Sequence, residues 1–400
     1  MSSLRGRIGG GGTLETLKSS NDSKGSNERR DVYGLITVDA MKSQKILRKE
    51  KKVKKILMIS LTVVLALSFG LTGCEGEGEP DAIVIKCAHT VPATESSALA
   101  WIEWGDMISE EWAGMKAADE PGINFTYFWS MSLLGPTELY DGVKDGTADM
   151  VFYPIGVNPG LLPMNEIFRL PFLFNSNEEA VCAAAEAFQD GTVFVDEIEG
   201  DGDVKFFSAY MMPPYHLHTA SANVTLPADV TGLTIGAEGD FLDFIAAANA
   251  TPEETTVDQL AEKYNLGLID GNIAHFPVQF AFGALDFTPH HTLFGSAGIA
   301  MVPCVWLLNP DTWDSLPSGL QDLIMSTSDD FAVALKAGSD GFEGFVLGTQ
   351  CAGHAFNELT EPQLDEWRAL TVPQHDAWAA QSVAHNDTYN LLQSIIAGCP

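Results

Sequence analysis

The chain has 400 residues, 46% of them hydrophobic and 19% charged, and a formal net charge of −32 at pH 7. Fourteen of the 22 lysines and arginines precede Cys74, but only 6 of the 54 aspartates and glutamates do, so the residues after Cys74 carry a formal charge of −40. A region this acidic repels nucleic acid and anionic lipid headgroups, which excludes both as its partners, and about 326 residues are enough for two lobes of ordinary domain size.

The first 80 residues predict a targeting region and a tether. Residues 1–40 are rich in glycine and serine and lack apolar periodicity, so they are predicted to be disordered or to precede the true start at Met41. Residues 41–73 join a lysine-rich beginning to 18 uncharged residues, as a secretory signal does. The sequence LTGC, residues 71–74, resembles the bacterial lipobox and predicts lipidation of Cys74, with residues 74–80 as a tether. A transmembrane anchor is the alternative, and either reading places the rest of the chain outside the cytoplasm.

The cysteines after Cys74 do not define a bonding pattern. Their number is odd and their spacing wide, so no disulfide pairing follows from the sequence. Because no CxxC motif is present, we predict no cysteine zinc site, and the sequence indicates no cofactor. These five cysteines are Cys87, Cys182, Cys304, Cys351 and Cys399.

The beginning of the exported region alternates strands and helices. Residues 82–90 (AIVIKCAHT) predict a buried strand, and Ala98, Trp101, Ile108 and Trp112 then recur at the spacing of a buried helix face. Further along, the sequence predicts a strand at FTYFWS from Phe125, a short helix at TELYDGVKDG and a strand at ADMVFY, residues 148–153. This alternation is typical of a parallel sheet covered on both faces.

A second group of strands and helices follows, which indicates an α/β fold with two lobes, a hinge and a ligand cleft between them. Residues 81–208 with about 298–340 are predicted to form lobe 1. Residues 209–297 with about 341–398, including the C-terminal helices, are predicted to form lobe 2. The patterns behind this division are VKFFSAY (204–210), LTIGA (233–237), a helix at 240–248, LGLIDGNIAHF (266–276) and the apolar run GIAMVPCVWLL (298–308).

Six motifs occur in the order typical of one known family. They are AHTVPATES (88–96), SLLGPTELYDGVKDGTADMVF (132–152), LPFLFNSNEEA (170–180), LPADVTGLTIG (226–236), ATPEETTVDQLAEKYNLGLIDG (250–271) and LNPDTWDSLPSGLQDLI (308–324). The chain thus resembles the substrate-binding proteins of tripartite ATP-independent periplasmic (TRAP) transporters, of the C4-dicarboxylate-binding type. The resemblance implies a periplasmic-binding-protein-like fold that closes on a small solute and delivers it to a membrane permease.

Two positions depart from that family. Its members usually carry a carboxylate-binding arginine at the end of the strand GLTIG, where this chain has Gly236, and a polar ligand contact is replaced by Ala274. Either another group binds a carboxylate, such as a histidine, Arg169, backbone amides or a metal, or the cleft takes a neutral or cationic solute. The acidic composition slightly favours the second interpretation.

The candidate ligand contacts are therefore basic and aromatic side chains near the predicted cleft. A structural or surface role is the favoured interpretation of each single histidine and of Arg169, and core packing is the favoured one for each aromatic residue. The candidates are His89, His216, His218, His275, the pair His290 and His291, Arg169, Trp129, Tyr153, Tyr210, Tyr215, Phe276 and Trp306.

The chain is predicted not to be an enzyme, because GxSxG, HExxH and P-loop motifs are absent from its sequence. Two alternatives remain open: a ligand sensor for a membrane receptor, and a metal-dependent exported hydrolase built on the HLH and PHH segments.

Overall fold

Two β-sheets organise residues 82–400, the part of the chain that the computed structural model describes. The predicted signal segment, the tether and Cys74 lie outside the described residues. The strands are β1 (Ile83–Ala88), β2 (Ile123–Phe128), β3 (Met150–Pro154), β4 (Lys205–Met211), β5 (His216–Thr219), β6 (Thr234–Ala237), β7 (Thr251–Glu254), β8 (Gly271–Ala274), β9 (His290–Leu293), β10 (Pro303–Leu308) and β11 (Ala355–Glu358).

Helices surround both sheets. They are α1 (Ser96–Met115), α2 (Leu139–Lys144), α3 (Asn177–Ala187), α4 (Val193–Glu199), α5 (Phe241–Ala247), α6 (Leu260–Asn265), α7 (Phe276–Ala281), α8 (Pro310–Ser315), α9 (Ser318–Ser326), α10 (Ser328–Phe345), α11 (Glu361–Ala369), α12 (Val372–Ala379) and α13 (Val383–Gly398). Short 3₁₀ turns include Asn165–Arg169, and a π-helical turn spans Val346–Gln350. No helix within residues 82–400 is both long and apolar enough to cross a membrane.

The first sheet has the strand order β2-β1-β3-β10-β4, and we call it and its helices lobe 1. β1 runs parallel to β2 and β3, as the β-α-β-α-β pattern predicts. β10 instead runs antiparallel to both β3 and β4, so the sheet is mixed and not fully parallel. Every residue of β10 is buried, which explains the long apolar run in the sequence.

The second sheet has the order β11-β9-β5-β8-β6-β7, and we call it and its helices lobe 2. β6 runs parallel to β7 and β8, whereas β5 is antiparallel to β8 and β9. The carboxyl ends of β6 and β8 therefore lie at the same edge as the start of β5. This edge carries residues of the candidate site.

The two lobes share one long helix. α10 packs against α1 and β4 of lobe 1 and also contacts α7 of lobe 2. In lobe 1 the Trp306 ring lies 5.9 Å from that of Trp101, 5.1 Å from that of Phe152 and 5.1 Å from that of Phe331, the last of which belongs to α10. This aromatic core fixes one end of the connecting helix.

The C-terminal helix lies elsewhere than the sequence analysis placed it. α13, expected with lobe 2, packs against α3 of lobe 1, and a disulfide joins Cys182 in α3 to Cys399. The amphipathic pattern of α13 shows which of its faces is buried but not which lobe receives it. The remaining cysteines of the described region, Cys87, Cys304 and Cys351, are buried thiols.

Candidate ligand-binding site

Arg169 lies between the two lobes. It ends the 3₁₀ turn Asn165–Arg169 of lobe 1, and only 4% of its surface is exposed. Its Nη1 donates to the carbonyl of Ile155, just beyond β3, at 3.4 Å, and its Nη2 donates to the carbonyl of Glu238, just beyond β6, at 2.9 Å. The guanidinium therefore joins the strand ends of lobe 1 to those of lobe 2.

The charge of Arg169 is not neutralised by a direct partner. Within residues 82–400 it forms no ion pair with a carboxylate, and its buried Nε has no hydrogen-bond partner. A buried cation without a counter-charge is costly, because burial removes it from water and low-dielectric surroundings do not replace the lost hydration. A carboxylate reaching this guanidinium would receive a charge-assisted hydrogen bond.

An aromatic ring of lobe 2 packs against the guanidinium, and two further rings pack in sequence beside it. The Arg169 carbon Cζ lies 4.9 Å from the centre of the Phe241 ring, at the start of α5. The Tyr215 ring, just before β5, lies 5.4 Å from Phe241 and 5.2 Å from the ring of His275, which follows β8. We call Arg169, Tyr215, Glu238, Phe241 and His275 the Arg169 site.

Three carboxyl groups interact electrostatically with Arg169 at this site. Burial raises the pKa of Glu238 and of Asp240 above their ordinary values, and the charge of Arg169 opposes both shifts. Burial also raises the pKa of Glu166, which a hydrogen bond from the Gly160 amide and the charge of Arg169 oppose. The guanidinium thus lies in acidic surroundings whose carboxyl groups are partly desolvated.

His89, Trp129 and Tyr153 lie at the strand ends of lobe 1. His89 Nδ1 accepts a hydrogen bond from the Val91 amide, so its Nε2–H donates to Ser97 Oγ at 3.0 Å. Burial lowers the pKa of His89 to about 3, which leaves the ring neutral. Trp129 packs on His89 with ring centres 5.8 Å apart, and the buried Tyr153 hydroxyl is 3.4 Å from Asn158 Oδ1. His89 therefore has a structural role, since both its nitrogens are bonded within lobe 1.

His216 and His218 are buried within lobe 2 and hydrogen-bonded there. His216 Nδ1 accepts from the Phe294 amide at 3.3 Å. His218 Nε2–H donates to the Ala274 carbonyl at 3.0 Å, so its Nδ1 accepts from His291 Nδ1–H at 2.8 Å. Desolvation lowers the pKa of His216 and of His218 to about 3.

The row of imidazoles continues to the surface of lobe 2. His291 Nε2 accepts from His354 Nδ1 at 2.9 Å, and His354 is only partly buried. Burial, with neighbouring histidines, lowers the pKa of His291 to about 2. We call His218, His291 and His354 the histidine chain; its rings are neutral, and each hydrogen bond fixes the direction of the next.

The remaining candidates contribute packing or backbone contacts. Gly236 is buried, and a Cβ on it would lie 2.9 Å from Thr255 Oγ1, so Thr255 fills the space that a side chain would need. Ala274 contributes its backbone carbonyl, which accepts the hydrogen bond from His218. Tyr210 is buried with its ring 5.8 Å from that of Trp306, and both lie in the aromatic core. The rings of Phe276 and His218 lie 4.8 Å apart.

Glu238, Asp240 and Phe241 are site residues that were not predicted from the sequence. Their signal was the segment AEGDF directly after the strand LTIGA, where a strand end meets a helix start. The proximity of Cys351 and His354 to His291 was not predicted either, although Cys351 and His354 stand three residues apart in the sequence.

Comparison with known proteins assigns the chain to a family. Residues 87–382 match the family described as bacterial extracellular solute-binding protein, family 7 (DctP). The chain belongs to this family. The resemblance inferred from its motifs is thereby confirmed, and a binding role outside the cytoplasm is the role that the family description gives.

Solved structures of other solute-binding proteins share the fold. A TRAP solute-binding protein from Rhodoferax ferrireducens, in complex with copurified benzoate, has 20% sequence identity and a TM-score of 0.70, with 79% of this chain and 98% of that chain covered. One from a marine metagenome, specific for aromatic acid ligands and in complex with 3-hydroxybenzoate, has 24% identity and a TM-score of 0.70, with 80% and 99% covered. One from Bordetella bronchiseptica, with bound mandelate, has 20% identity and a TM-score of 0.68, with 79% and 98% covered. The predicted two-lobed α/β fold is confirmed.

Proposed function

We propose that this solute-binding protein captures a small organic carboxylate at the Arg169 site and delivers it to a TRAP-type membrane permease. The observation that carries the proposal is the buried guanidinium of Arg169, which has a free Nε–H and no carboxylate partner within the described residues. A ligand carboxylate accepts from that Nε–H and supplies a directly bonded counter-charge. On this proposal, Arg169 binds the carboxylate in place of the arginine that family members usually carry at the position of Gly236.

The ligand is proposed to carry an aromatic or apolar body with a single carboxylate. Phe241 and Tyr215 offer ring faces beside the guanidinium. Glu238 and Asp240 interact electrostatically with Arg169, and their ionised forms would repel a second negative charge on the ligand. The relatives with bound benzoate, 3-hydroxybenzoate and mandelate hold ligands of this kind, which supports the proposal.

Capture is proposed to proceed by closure of the two lobes. Arg169 belongs to lobe 1, whereas Glu238 and Phe241 belong to lobe 2. A ligand bound to the guanidinium and to the rings of lobe 2 makes its full set of contacts only in the closed form, so it shifts the population toward that form. The permease then distinguishes the closed, loaded protein from the open one, and no catalytic step is needed.

A second candidate ligand class is a zwitterion such as an amino acid. Three carboxyl groups act on the Arg169 environment, and each interacts electrostatically with its guanidinium. An ammonium group on the ligand would be attracted to them while its carboxylate is bound by Arg169. This class differs from the first by one charged group, so a matched pair of ligands separates the two.

Export and anchoring through Cys74 are proposed from the sequence. The lysine-rich and apolar segments before LTGC and the acidic tether after it support a lipoprotein held near its permease, where an anchor raises its effective concentration. Intact mass of the mature protein tests this: a lipidated amino-terminal Cys74 is expected, and a Cys74→Ser variant should be released from the membrane fraction. An unmodified mature protein beginning elsewhere contradicts the lipoprotein proposal.

The ligand proposal is tested by thermal shift of the full-length protein in detergent. Benzoate should raise the melting temperature, whereas benzamide, its uncharged counterpart of similar shape, should not. Phenylalanine tests the zwitterion class, and succinate tests the effect of a second carboxylate. The receptor role is tested separately: neighbouring genes for a histidine kinase favour it, whereas genes for permease subunits favour transport.

Arg169→Gln should weaken carboxylate binding by about 2–5 kcal/mol, because the variant leaves the ligand charge buried without a partner. The matched control is Arg368→Gln on α11, where the arginine pairs with Glu361 and Asp365 at the surface. Carboxylate affinity that is unchanged in Arg169→Gln, or stabilisation by benzamide and amines alone, contradicts the proposed site. Hydrolysis of a model ester that depends on added zinc would favour the hydrolase alternative.

A further inference from the structure

A group of potential metal ligands lies in lobe 2, outside the Arg169 site. His291 belongs to β9, whereas Cys351 and His354 belong to the segment that joins the π-helical turn Val346–Gln350 to β11. One ligand atom from each residue lies within 4.8 Å of the ligand atoms of the other two. The sequence brings this set together from two distant places: His291 lies 60 residues before Cys351.

His291 is oriented as a metal ligand would be. Its Nδ1–H donates to His218, which in turn donates to the Ala274 carbonyl. The Nε2 of His291 therefore carries a lone pair that points toward His354 Nδ1, 2.9 Å away. Metal-bound histidines are commonly oriented by such a hydrogen bond from the other ring nitrogen. Packing of Phe276, with its ring 5.0 Å from that of His291, further restricts the imidazole.

The thiol of Cys351 lies near these two imidazoles and is not bonded elsewhere within the described residues. Its residue is 3% exposed, it is not part of the disulfide, and within residues 82–400 its sulfur makes no hydrogen bond. Phe276, Leu285 and Val346 form an apolar cluster with it. One sulfur and two imidazole nitrogens form a ligand set that suits zinc and other thiophilic cations, whereas magnesium and calcium require oxygen ligands.

We propose that His291, Cys351 and His354 form a binding site for Zn²⁺, with a water molecule at the fourth position. The cation takes the place of the proton that His354 Nδ1 shares with His291 Nε2. His354 then carries its proton on Nε2 and stays neutral, and the Cys351 thiol releases one proton to solvent as it becomes a thiolate ligand.

Bound zinc would tie the chain that follows α10 to the sheet of lobe 2. Since α10 is the helix that contacts both lobes, this site would fix its far end to β9. The site does not depend on the proposed solute and does not include a residue of the Arg169 site. The predicted absence of a cysteine zinc site rests on the lack of a CxxC motif, and the spacing Cys351-x-x-His354 lies outside that motif.

The test is a titration of the metal-free full-length protein with Zn²⁺ against a chromophoric chelator. One Zn²⁺ per chain is expected to bind in competition with the chelator, and Co²⁺ in its place should give a thiolate-to-cobalt charge-transfer band. Cys351→Ser should abolish the band, and His354→Asn should lower the zinc affinity more than about 100-fold. His354 is only partly buried, so its replacement leaves the core intact.

Two controls separate this site from the rest of an acidic surface. Cys304→Ser changes a buried thiol in β10 of lobe 1, and His385→Asn changes a histidine of α13; both should retain the band and the affinity. Zinc affinity unchanged in Cys351→Ser and His354→Asn would overturn the proposal. A wild-type protein that binds Co²⁺ without a charge-transfer band would overturn it equally, because the cation would then lie away from Cys351.

Discussion

Arg169 and the histidine chain are both built from basic residue types that are largely buried, but their polar atoms are hydrogen-bonded to different extents. In the histidine chain, His218 uses both ring nitrogens and His291 uses both of its own, so each internal donor meets an acceptor. Arg169 instead retains an unpartnered Nε and donates to two backbone carbonyls that carry no full charge. The chain is complete within lobe 2, whereas the arginine is incomplete until an anion arrives.

This difference indicates how a buried basic residue can be assigned a role. An imidazole can lose its proton, and burial lowers the pKa of His218 to about 3, so it avoids the cost of a buried charge. A guanidinium remains protonated in proteins, so its burial must be compensated by a partner. Neutral, fully bonded histidines are therefore expected to stabilise the fold, and the charged arginine to bind the ligand.

The largest expected effect on stability is that of breaking the histidine chain. His218→Leu removes the acceptor of the His291 Nδ1–H and the donor to the Ala274 carbonyl, and leaves both groups buried and unpaired. We expect a loss of about 2–4 kcal/mol in the free energy of unfolding. Urea unfolding in the presence of a chelator measures it, with His385→Asn as the control. A loss below about 0.5 kcal/mol would show that the chain is not structural.

Restoring a side chain at Gly236 is expected to have the next largest effect. The added Cβ of Gly236→Ala would lie 2.9 Å from Thr255 Oγ1 and 3.3 Å from Ile269 Cδ1, so the Thr255 side chain or the strand must shift. We expect a destabilisation of about 1–3 kcal/mol, as for other overpacked positions.

The control for Gly236→Ala is Gly341→Ala in α10, where a Cβ meets no atom within 4 Å. That change should stabilise the helix by about 0.5–1 kcal/mol. If Gly236→Ala is neutral or stabilising by the same urea assay, then Thr255 does not occupy the place of the family's arginine side chain, and the proposed transfer of its role to Arg169 loses one of its supports.

A partly buried carboxyl group extends the comparison to the pH dependence of stability. Burial, with the nearby charge of Asp340 and against that of Lys336, raises the pKa of Glu343 in α10 to about 7. Between the ordinary pKa of a glutamate and pH 7, the folded protein holds a proton that the unfolded chain has lost, so stability falls as the pH rises through this range. Glu343→Gln should remove this fall and raise stability at pH 8 by about 1–2 kcal/mol.

Urea unfolding at pH 5 and pH 8 measures the Glu343 effect, and Glu366→Gln on the exposed side of α11 is the control. The sign is the informative part: a Glu343→Gln variant that is less stable than the wild type at pH 8 would mean that the ionised carboxylate is stabilised in the folded protein.

The sequence predicted the local elements better than the contacts between them. Strands β1 and β3 were predicted from apolar runs, because strand formation depends on neighbouring residues and burial. The apolar run that contains β10 was noted but not assigned to a strand. By contrast, Arg169 meets Glu238 across 69 residues and His291 meets His354 across 63, and no local pattern encodes either approach. The same reason explains why α13 was placed with the wrong sheet: its contact with α3 depends on how distant segments pack, which its own residues do not specify.

Of the candidate site residues, Arg169, Tyr215 and His275 come together, whereas His216 and His218 lie inside lobe 2. His216 and His218 stand two residues apart on β5, so their side chains share one face of the strand, but this spacing alone does not show whether that face meets a cleft or a helix. Here Phe276 of α7 covers it. The acidic residues beside Arg169 were missed because acidic residues are abundant throughout the chain.

The smallest expected effect on stability is that of removing the arginine from the ligand-free protein. Arg169→Met loses the hydrogen bonds to Ile155 and Glu238, but it also removes a buried charge that has no directly bonded carboxylate, and these two effects on stability oppose each other. We expect the free energy of unfolding to change by less than about 1 kcal/mol, while the thermal shift caused by benzoate is lost. A destabilisation above about 3 kcal/mol would make Arg169 a structural link between the lobes, comparable with His218. A stable Arg169→Met variant that no longer responds to carboxylates would separate the two clusters by function, because the chain's stability and its binding would then depend on different buried basic residues.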